Sequence, residues 1–199
     1  MKPKKRTNDA AKRMAAVDEK SCPVQRCLAY VDRFLTDVMC GRCLPCGLGT
    51  YEARARLKSV AEGRGDGEDL AALHRIGENM RVGSLCKKGK DAANYLCECL
   101  GRCAFVAHIE GRCPDRACEA FIEYRIVSDR CTMCGRCKTV CDYNAILGIE
   151  KRASYDTGCR PFEIRQKRCV KTGQCQAVCP TEAIIIVDKP NTGITGWAV

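Results

Sequence analysis

The first half of the chain repeats apolar residues at the three- and four-residue spacing of amphipathic helices. After Pro23 the repeating positions are Val24, Leu28, Val31, Leu35 and Val38. They predict one helix that ends near residues 40–41. The same pattern predicts helices over 49–61, 68–80 and 91–107, with a glycine-rich loop at 63–67. Four helices joined by short loops predict a small bundle.

The second half changes to short β-rich segments that flank runs of cysteine. These segments are residues 124–127, 145–147, 162–164 and 183–187. We therefore predict an α+β chain in which a four-helix iron–sulfur bundle precedes a ferredoxin-like domain. The predicted parts are a basic tail (1–20), the bundle (21–109), a hinge (110–122), the ferredoxin-like domain (123–189) and a second tail (190–199).

Cysteine content is the most informative feature of the composition, because the 199 residues include 19 cysteines. Such density indicates a disulfide framework or metal ligation. No apolar segment follows the basic N-terminus as in a secretory signal, and no run reaches membrane-spanning length. An odd cysteine count and tight C-x-x-C clusters favour metal centres in a reducing cytoplasm. Aromatic residues make up only 6%, so we expect metal binding to supply much of the folding free energy.

The net charge of +10 counts every cysteine as neutral. Ligating thiolates are negative, so the folded protein is less basic than this value. Much of the excess lies in residues 1–20, which hold seven Lys/Arg against three Asp/Glu. We favour the interpretation that residues 1–20 are a solvated segment over the alternative that they bind an acidic partner or nucleic acid.

The most specific motif is Cys131-x-x-Cys134-x-x-Cys137-x-x-x-Cys141, answered by Cys169, Cys175 and Cys179-Pro180. The 2-2-3 spacing is that of bacterial ferredoxins, where the fourth cysteine ligates a second cluster. One 4Fe–4S site is therefore predicted from Cys131, Cys134, Cys137 and Cys179.

The second ferredoxin site is one ligand short, because Thr172 stands where a cysteine is expected. Its predicted ligands are Cys141, Cys169 and Cys175. A 4Fe–4S cluster with unusual ligation, with Thr172 or Cys159 as fourth ligand, is one interpretation. A 3Fe–4S cluster and an empty site are the others, in that order of preference.

The bundle carries Cys40-Gly-Arg-Cys43-Leu-Pro-Cys46, with Cys86 forty residues further on. Three thiolates in a tight turn and one remote cysteine suit a 4Fe–4S cubane. Zinc also binds C-x-x-C pairs, but the third cysteine at the next step favours the cubane.

Eight cysteines lie outside these three ligand sets, among them Cys27, Cys97, Cys99, Cys103 and Cys159. Cys99 and Cys103 lie at i, i+4 of the predicted fourth helix and can ligate a further centre. We favour their role as small buried apolar residues, and a packed or surface position for His74. No nucleophile–base pair indicates hydrolysis or group transfer, so no catalytic residue is predicted.

These residues carry a resemblance to a known family. Residues 18–109 resemble the C-terminal iron–sulfur domain of the flavin- and NADH-binding subunit of respiratory complex I, through Cys-Gly-Arg-Cys-Leu-Pro-Cys (40–46), Gly49-Thr50, 68–70, 79–80 and 84–86. Gly47-Leu48 departs from the family's Arg-Glu. With the later cysteines, residues 18–189 resemble the C-terminal half of the β-subunit of NAD-dependent, electron-bifurcating hydrogenases and formate dehydrogenases.

The resemblance implies further expectations. The family's flavin/NADH domain would precede residue 18, and we expect this chain to lack it, since no glycine-rich phosphate loop follows a predicted strand. His108, Cys113 and Cys118 can close a zinc site with one more ligand. In the resembling subunits a cysteine at the position of Cys22 belongs with this group, so we predict a zinc clasp of these four residues; Cys99 or Cys103 is the alternative fourth ligand.

The predicted function is electron relay between a flavin/NAD(P)H-type partner and another redox subunit of an anaerobic oxidoreductase complex, electron-bifurcating complexes included. The predicted cofactors are two 4Fe–4S clusters, one further 4Fe–4S or 3Fe–4S cluster, and zinc. No membrane insertion is expected. The alternative is a cluster-containing assembly or nucleic-acid-binding protein that uses its basic tail.

Overall fold

The computed structural model describes residues 20–150 and 160–189. They divide into two compact units that meet in sequence between Phe121 and Ile122. The predicted tails, apart from Lys20, and Cys159 lie outside the described residues. The domain boundaries predicted from the sequence stay a prediction.

The first unit is helical. Its helices are α1 (Pro23–Arg33), which continues into a π-helical turn (Phe34–Val38), α2 (Leu44–Ala61), α3 (Gly67–Gly83), α4 (Lys87–Leu100) and α5 (Cys103–Ile109), followed by a 3-10 turn (Glu119–Phe121). Asp66 begins α3 with a capping box, because its side chain accepts a hydrogen bond from the Asp69 amide at 2.9 Å. Leu57, Leu73, Leu96 and Phe105 are fully buried and form the centre of the core.

Two of the predicted helices differ from those observed. The helix predicted over 49–61 begins at Leu44, because Pro45 in the first turn is compatible with a helix start. The helix predicted over 91–107 is two helices, since the chain ends α4 at Gly101 and becomes extended at Arg102. Cys103 therefore begins α5 and is exposed, whereas Cys99 in α4 is buried, and the predicted shared face of these two residues was wrong.

The second unit holds two antiparallel two-stranded sheets and two short helices. Its elements are β1 (Ile122–Ile126), α6 (Arg136–Thr139), β2 (Ile146–Ile149), β3 (Arg160–Ile164), α7 (Gln174–Ala177) and β4 (Ile184–Asp188). β1 pairs with β4, and β2 pairs with β3. Their inward side chains, including Ile146, Phe162 and Ile184, form a separate core. The predicted α+β class with a ferredoxin-like domain is confirmed.

None of the helices in residues 20–150 and 160–189 combines the length and the apolar character needed to cross a bilayer.

Candidate iron–sulfur and metal sites

The two cysteine loops of the second unit have the same backbone conformation. Met133 and Lys171 have φ values of 56° and 60°, and Gly135 and Gly173 have φ values of 75° and 76°. Each glycine directly precedes a four-residue helix, α6 or α7. These left-handed residues turn the chain sharply, so that the first three positions of each 2-2-3 run line one cavity and the fourth lines the other. The two cysteine loops are therefore a structural repeat.

The first of these loops forms one wall of a cavity that also receives a cysteine from the second. Its cysteine lining is Cys131, Cys134, Cys137 and Cys179. The Ala183 amide donates a hydrogen bond to Cys179 Sγ at 3.3 Å. Burial raises the pKa of the Cys137 thiol to about 11, and the neighbouring thiols Cys131 and Cys134 add to the effect. A positive centre is needed to hold such crowded thiolates, which suits a cluster.

A second cavity has the same construction with one sulfur fewer. Cys141, Cys169 and Cys175 line it, and Thr172 takes the place that Cys134 has in the first. The Ala145 amide donates to Cys141 Sγ at 3.4 Å, matching the bond to Cys179. Burial raises the pKa of Cys175, helped by the other two thiols. The structure thus brings together the three predicted ligands.

In the helical unit, Cys43, Cys46 and Cys86 gather at the beginnings of two helices. Cys43 is the N-cap of α2, Cys46 lies in its first turn and Cys86 is the N-cap of α4. Burial raises the pKa of Cys46, and the Cys43 and Cys86 thiols add to it. Two positive helix ends close to the thiols favour negative sulfur ligands. Cys40 precedes this group and is exposed.

Ser84 provides a test of whether this site fits a cluster. Its hydroxyl is buried and has no hydrogen-bond partner among the described residues. A Cβ atom placed on Gly89 would lie 2.9 Å from Ser84 Oγ and 3.2 Å from Cys46 Sγ, so both atoms border the same space. A buried hydroxyl needs an acceptor, and a sulfide or thiolate of a bound cluster supplies one. The residues present therefore fit a cubane.

The last group of candidate metal ligands is compact and wholly buried. One ligand atom from each of Cys22, His108, Cys113 and Cys118 lies within 4.8 Å of the others, and each residue is at most 2% exposed. His108 Nε2 is 3.5 Å from Cys22 Sγ and 3.3 Å from Cys118 Sγ. The first α1 residues and the segment after α5 thus meet, and all four donors belong to the first unit.

The ring of His108 is held in the orientation of a metal ligand. Nδ1 lies 2.7 Å from the Ala104 carbonyl oxygen, to which only a protonated Nδ1 can donate. The lone pair is then on Nε2, which faces the thiols, as in histidine–metal sites supported by a backbone carbonyl. The burial of His108 excludes a surface position for this histidine.

The thiols in this group share protons unequally. A hydrogen bond from the Cys118 thiol is the main cause that lowers the pKa of Cys22 to about 4, against the opposing effect of burial. The same hydrogen bond raises the pKa of Cys118, which donates it. At least one thiolate is therefore present near neutral pH, which is what a metal ion requires.

Sequence reasoning missed two supporting residues. Ser84 lies two positions before Cys86, and Gln25 Nε2 donates to Cys118 Sγ at 3.6 Å. Gln25 occupies the third helical position after Cys22, a helical spacing that would have indicated it. Among the other cysteines, Cys27 and Cys99 are buried as predicted, Cys97 is half-buried, and the predicted burial of Cys103 was wrong because this residue begins α5 and is exposed. His74 is exposed.

Two families match this chain. Residues 26–105 match the NADH-ubiquinone oxidoreductase-F iron-sulfur binding region. Residues 130–183 match the 4Fe-4S dicluster domain. The three cysteine sites proposed for clusters divide between these matches, one in the first and two in the second.

Curated relatives share the same region. The chain is 31% identical over 142 residues to the NADP-reducing hydrogenase subunit HndC of Solidesulfovibrio fructosivorans, covering 70% of this chain and 29% of that protein. It is 33% identical over 106 residues to the F subunit of NADH-quinone oxidoreductase from Streptomyces coelicolor, covering 52% and 23%. The NADP(+)-dependent formate dehydrogenase subunit beta of Moorella thermoacetica is 39% identical over 61 residues, covering 31% and 9%.

The matched region spans less than a third of the length of each of these relatives. Their names describe redox subunits. The resemblance drawn from the sequence is thereby confirmed: the chain carries the iron–sulfur binding region of the NADH-ubiquinone oxidoreductase F family, joined to a 4Fe–4S dicluster domain.

Proposed function

We propose that this protein relays electrons through iron–sulfur clusters between a flavin/NAD(P)H-type partner and another redox subunit. The setting is an anaerobic cytoplasmic oxidoreductase complex of the hydrogenase or formate dehydrogenase kind, electron-bifurcating complexes included. The observation that carries the proposal is the repeated pair of cysteine loops, with matching backbone angles around each set of thiols. Relatives named as subunits of such enzymes support it.

The ligands divide into three sets. Cys40, Cys43, Cys46 and Cys86 hold one 4Fe–4S cluster in the helical unit. Cys131, Cys134, Cys137 and Cys179 hold a second, and Cys141, Cys169 and Cys175 hold a third cluster of three or four irons. Each cluster, when bound, supplies reversible one-electron transfer with little rearrangement of its ligands.

The chain's own residues set the conditions of that transfer. Burial of Cys46, Cys137 and Cys175 limits solvent at the sulfurs. Amide hydrogen bonds to Cys141 and Cys179 offset negative charge there. Hydrogen bonds and solvent exposure are the properties by which proteins tune cluster potentials.

A partner surface surrounds the bundle cysteines. Large apolar side chains next to this site are strongly exposed: Leu44 at 76%, Leu48 at 62%, Tyr51 at 59%, Val82 at 80% and Leu85 at 83%. Pro45 of α2 packs against Gly83 of α3, so the two groups of residues are neighbours. Apolar patches of this kind mark interaction sites. Exposed Arg42, Lys87 and Lys88 stand beside it, which favours a partner with an acidic rim.

We further propose that Cys22, His108, Cys113 and Cys118 bind zinc. A tetrahedral zinc ion with Zn–S distances near 2.3 Å places its sulfur ligands about 3.8 Å apart. The observed donors, all within 4.8 Å of one another, need only a small contraction. In a cubane each thiolate binds a different iron, so the sulfurs stand farther apart. The compact set therefore fits a single ion and, being closed and buried, a structural role.

The relay is tested by anaerobic purification of the full chain, followed by reduction with dithionite. The expected result is a brown protein whose visible absorbance bleaches on reduction and returns on oxidation. A folded protein that stays colourless after reconstitution with iron and sulfide contradicts the proposal. For the partner surface, Leu85→Glu should weaken capture of the redox partner, whereas Val106→Glu, at an exposed apolar site on α5, should not.

A further inference from the structure

The second cavity of the ferredoxin-like unit reproduces the first everywhere except at one corner. Left-handed residues stand at equivalent places in both loops, and again after each fourth cysteine, at Asn144 (φ 49°) and Glu182 (φ 48°). Cys134 and Thr172 occupy equivalent positions, and both are exposed. The scaffold is therefore shaped for a cubane at both sites, and the second lacks only the sulfur at its solvent-facing corner.

Apart from the cysteines, the side-chain donors that line this cavity are oxygen and nitrogen atoms. The described residues that line the cavity include three cysteines, and their other side-chain donors are the hydroxyls of Thr172, Tyr124 and Tyr143, the Asp142 carboxylate, the Gln174 amide and the Lys171 amine. Iron in a sulfide core prefers thiolate, and oxygen donors hold it less strongly. An iron at this corner is thus held by the three sulfides of the core and a weak outer ligand.

The Thr172 corner is also exposed to solvent, so a weakly held iron there can be reached by water. Cys137 and the other buried thiols are shielded by the protein, but the Thr172 corner is open to water and to small chelators. An iron corner with a weak outer ligand and free access to solvent loses its ion more readily than a corner closed by a thiolate. Lys171, directly before this corner, does not add an anionic ligand.

From this arrangement we infer that the Thr172 corner is an exchangeable divalent-iron position, so that the cluster held by Cys141, Cys169 and Cys175 changes between three and four irons. This inference rests on the proposed iron–sulfur function. One Fe²⁺ joins the neutral, one-electron-reduced three-iron core and gives the doubly positive four-iron core without a further electron. Removal of one electron from that four-iron core by an oxidant such as ferricyanide releases Fe²⁺ and leaves the singly positive three-iron core.

The consequence is a site that responds to free ferrous iron and to oxidants. The other two sites, each with four predicted thiolates, serve as internal references because a cysteine is predicted at every iron corner, including the exposed Cys134. Loss of one iron per chain, with the remainder retained, is the behaviour that the structure predicts for the wild-type protein under mild oxidation.

The test uses the full chain, reconstituted without oxygen, oxidised with ferricyanide in the presence of EDTA and desalted. We expect the loss of about one iron per chain and the EPR signal of an oxidised 3Fe–4S cluster. Dithionite with ⁵⁷Fe²⁺ should then restore the iron, and Mössbauer spectra should show the label at a single position.

Thr172→Cys should abolish both the iron loss and the signal, because the corner is then closed by thiolate. Val170→Cys, which adds an exposed thiol two residues away, is the matched control and should exchange like the wild type. Equal protection by Val170→Cys would overturn the inference. So would a wild-type site that keeps its iron until Cys159→Ala is introduced, or one that never loads while the other two sites do. Failure of all three sites to load would instead contradict the proposed function itself.

Discussion

Replacing Cys22 by alanine removes one donor from the buried set that also contains His108, Cys113 and Cys118. All four are at most 2% exposed, so no solvent ligand can take the vacant place without opening the core. A structural zinc site with four protein ligands binds with an apparent free energy of about 10–16 kcal/mol. If the ligands share it evenly, Cys22→Ala removes about 2.5–4 kcal/mol, or roughly 70- to 900-fold in zinc affinity.

Cys27→Ala is the matched control. Cys27 lies on the same helix, is also fully buried, and belongs to the same apolar core, but it is not one of the four clustered donors. Its substitution should cost about 1–2 kcal/mol through lost burial and the lost hydrogen bond to Cys99. The two variants therefore separate the effect of zinc from the effect of removing a buried sulfur.

The assay combines metal content with stability. Anaerobically purified proteins are analysed for zinc by mass spectrometry, and their unfolding in urea is followed by circular dichroism. We expect about one zinc per chain in the wild type and in Cys27→Ala, and a loss of zinc with a lowered midpoint in Cys22→Ala. A wild-type protein with iron but without stoichiometric zinc would refute the reasoning, as would equal midpoints for the two variants.

Three further predictions concern the cluster sites and the partner surface. Ser84→Ala removes the hydroxyl that can donate a hydrogen bond to a sulfur of the bundle cluster. A bond of about 1 kcal/mol corresponds to about 40 mV in a one-electron couple, so a redox titration should show the reduction potential of this cluster lowered by that order. An unchanged potential would show that Ser84 does not donate there. Gly173→Ala places a side chain at φ 76°, with its Cβ 3.1 Å from Tyr124 Oη, and should lower the free energy of unfolding in urea by about 1–2 kcal/mol. Gly67→Ala, whose Cβ would have no atom within 4 Å, is the control. An unchanged stability of Gly173→Ala would contradict the requirement for a left-handed backbone at this position. Leu48→Glu should lower the affinity for the redox partner at least about tenfold in anaerobic binding measurements, and binding equal to that of Val106→Glu would remove this face from the interface.

The sequence predicted well those features that depend on local spacing. The 2-2-3 cysteine run predicted which thiols share a cavity in the second unit, because the short loops leave few ways to arrange them. The apolar period predicted the α1 and α3 helices. It did not predict the break at Gly101, since the residues on both sides of it are individually good helix formers and the apolar pattern continues.

The set of four buried donors could be predicted only in part. His108, Cys113 and Cys118 are close in sequence, but Cys22 is 86 residues from His108, and its place came from resemblance alone. Long-range packing of α1 against α5 decides that contact, and no local pattern encodes it. The sequence also did not indicate Ser84, because only the packed structure shows that its hydroxyl is buried without a hydrogen-bond partner among the described residues.

The central claim, that cysteines from distant parts of this chain converge on clusters that carry electrons, is tested most directly by iron and sulfide analysis combined with a spectroscopic redox titration of the anaerobically purified full chain. The account predicts about eleven or twelve irons per chain, with visible absorbance that bleaches and recovers over several one-electron steps. A folded chain with no acid-labile sulfide and no reversible bleaching would contradict it.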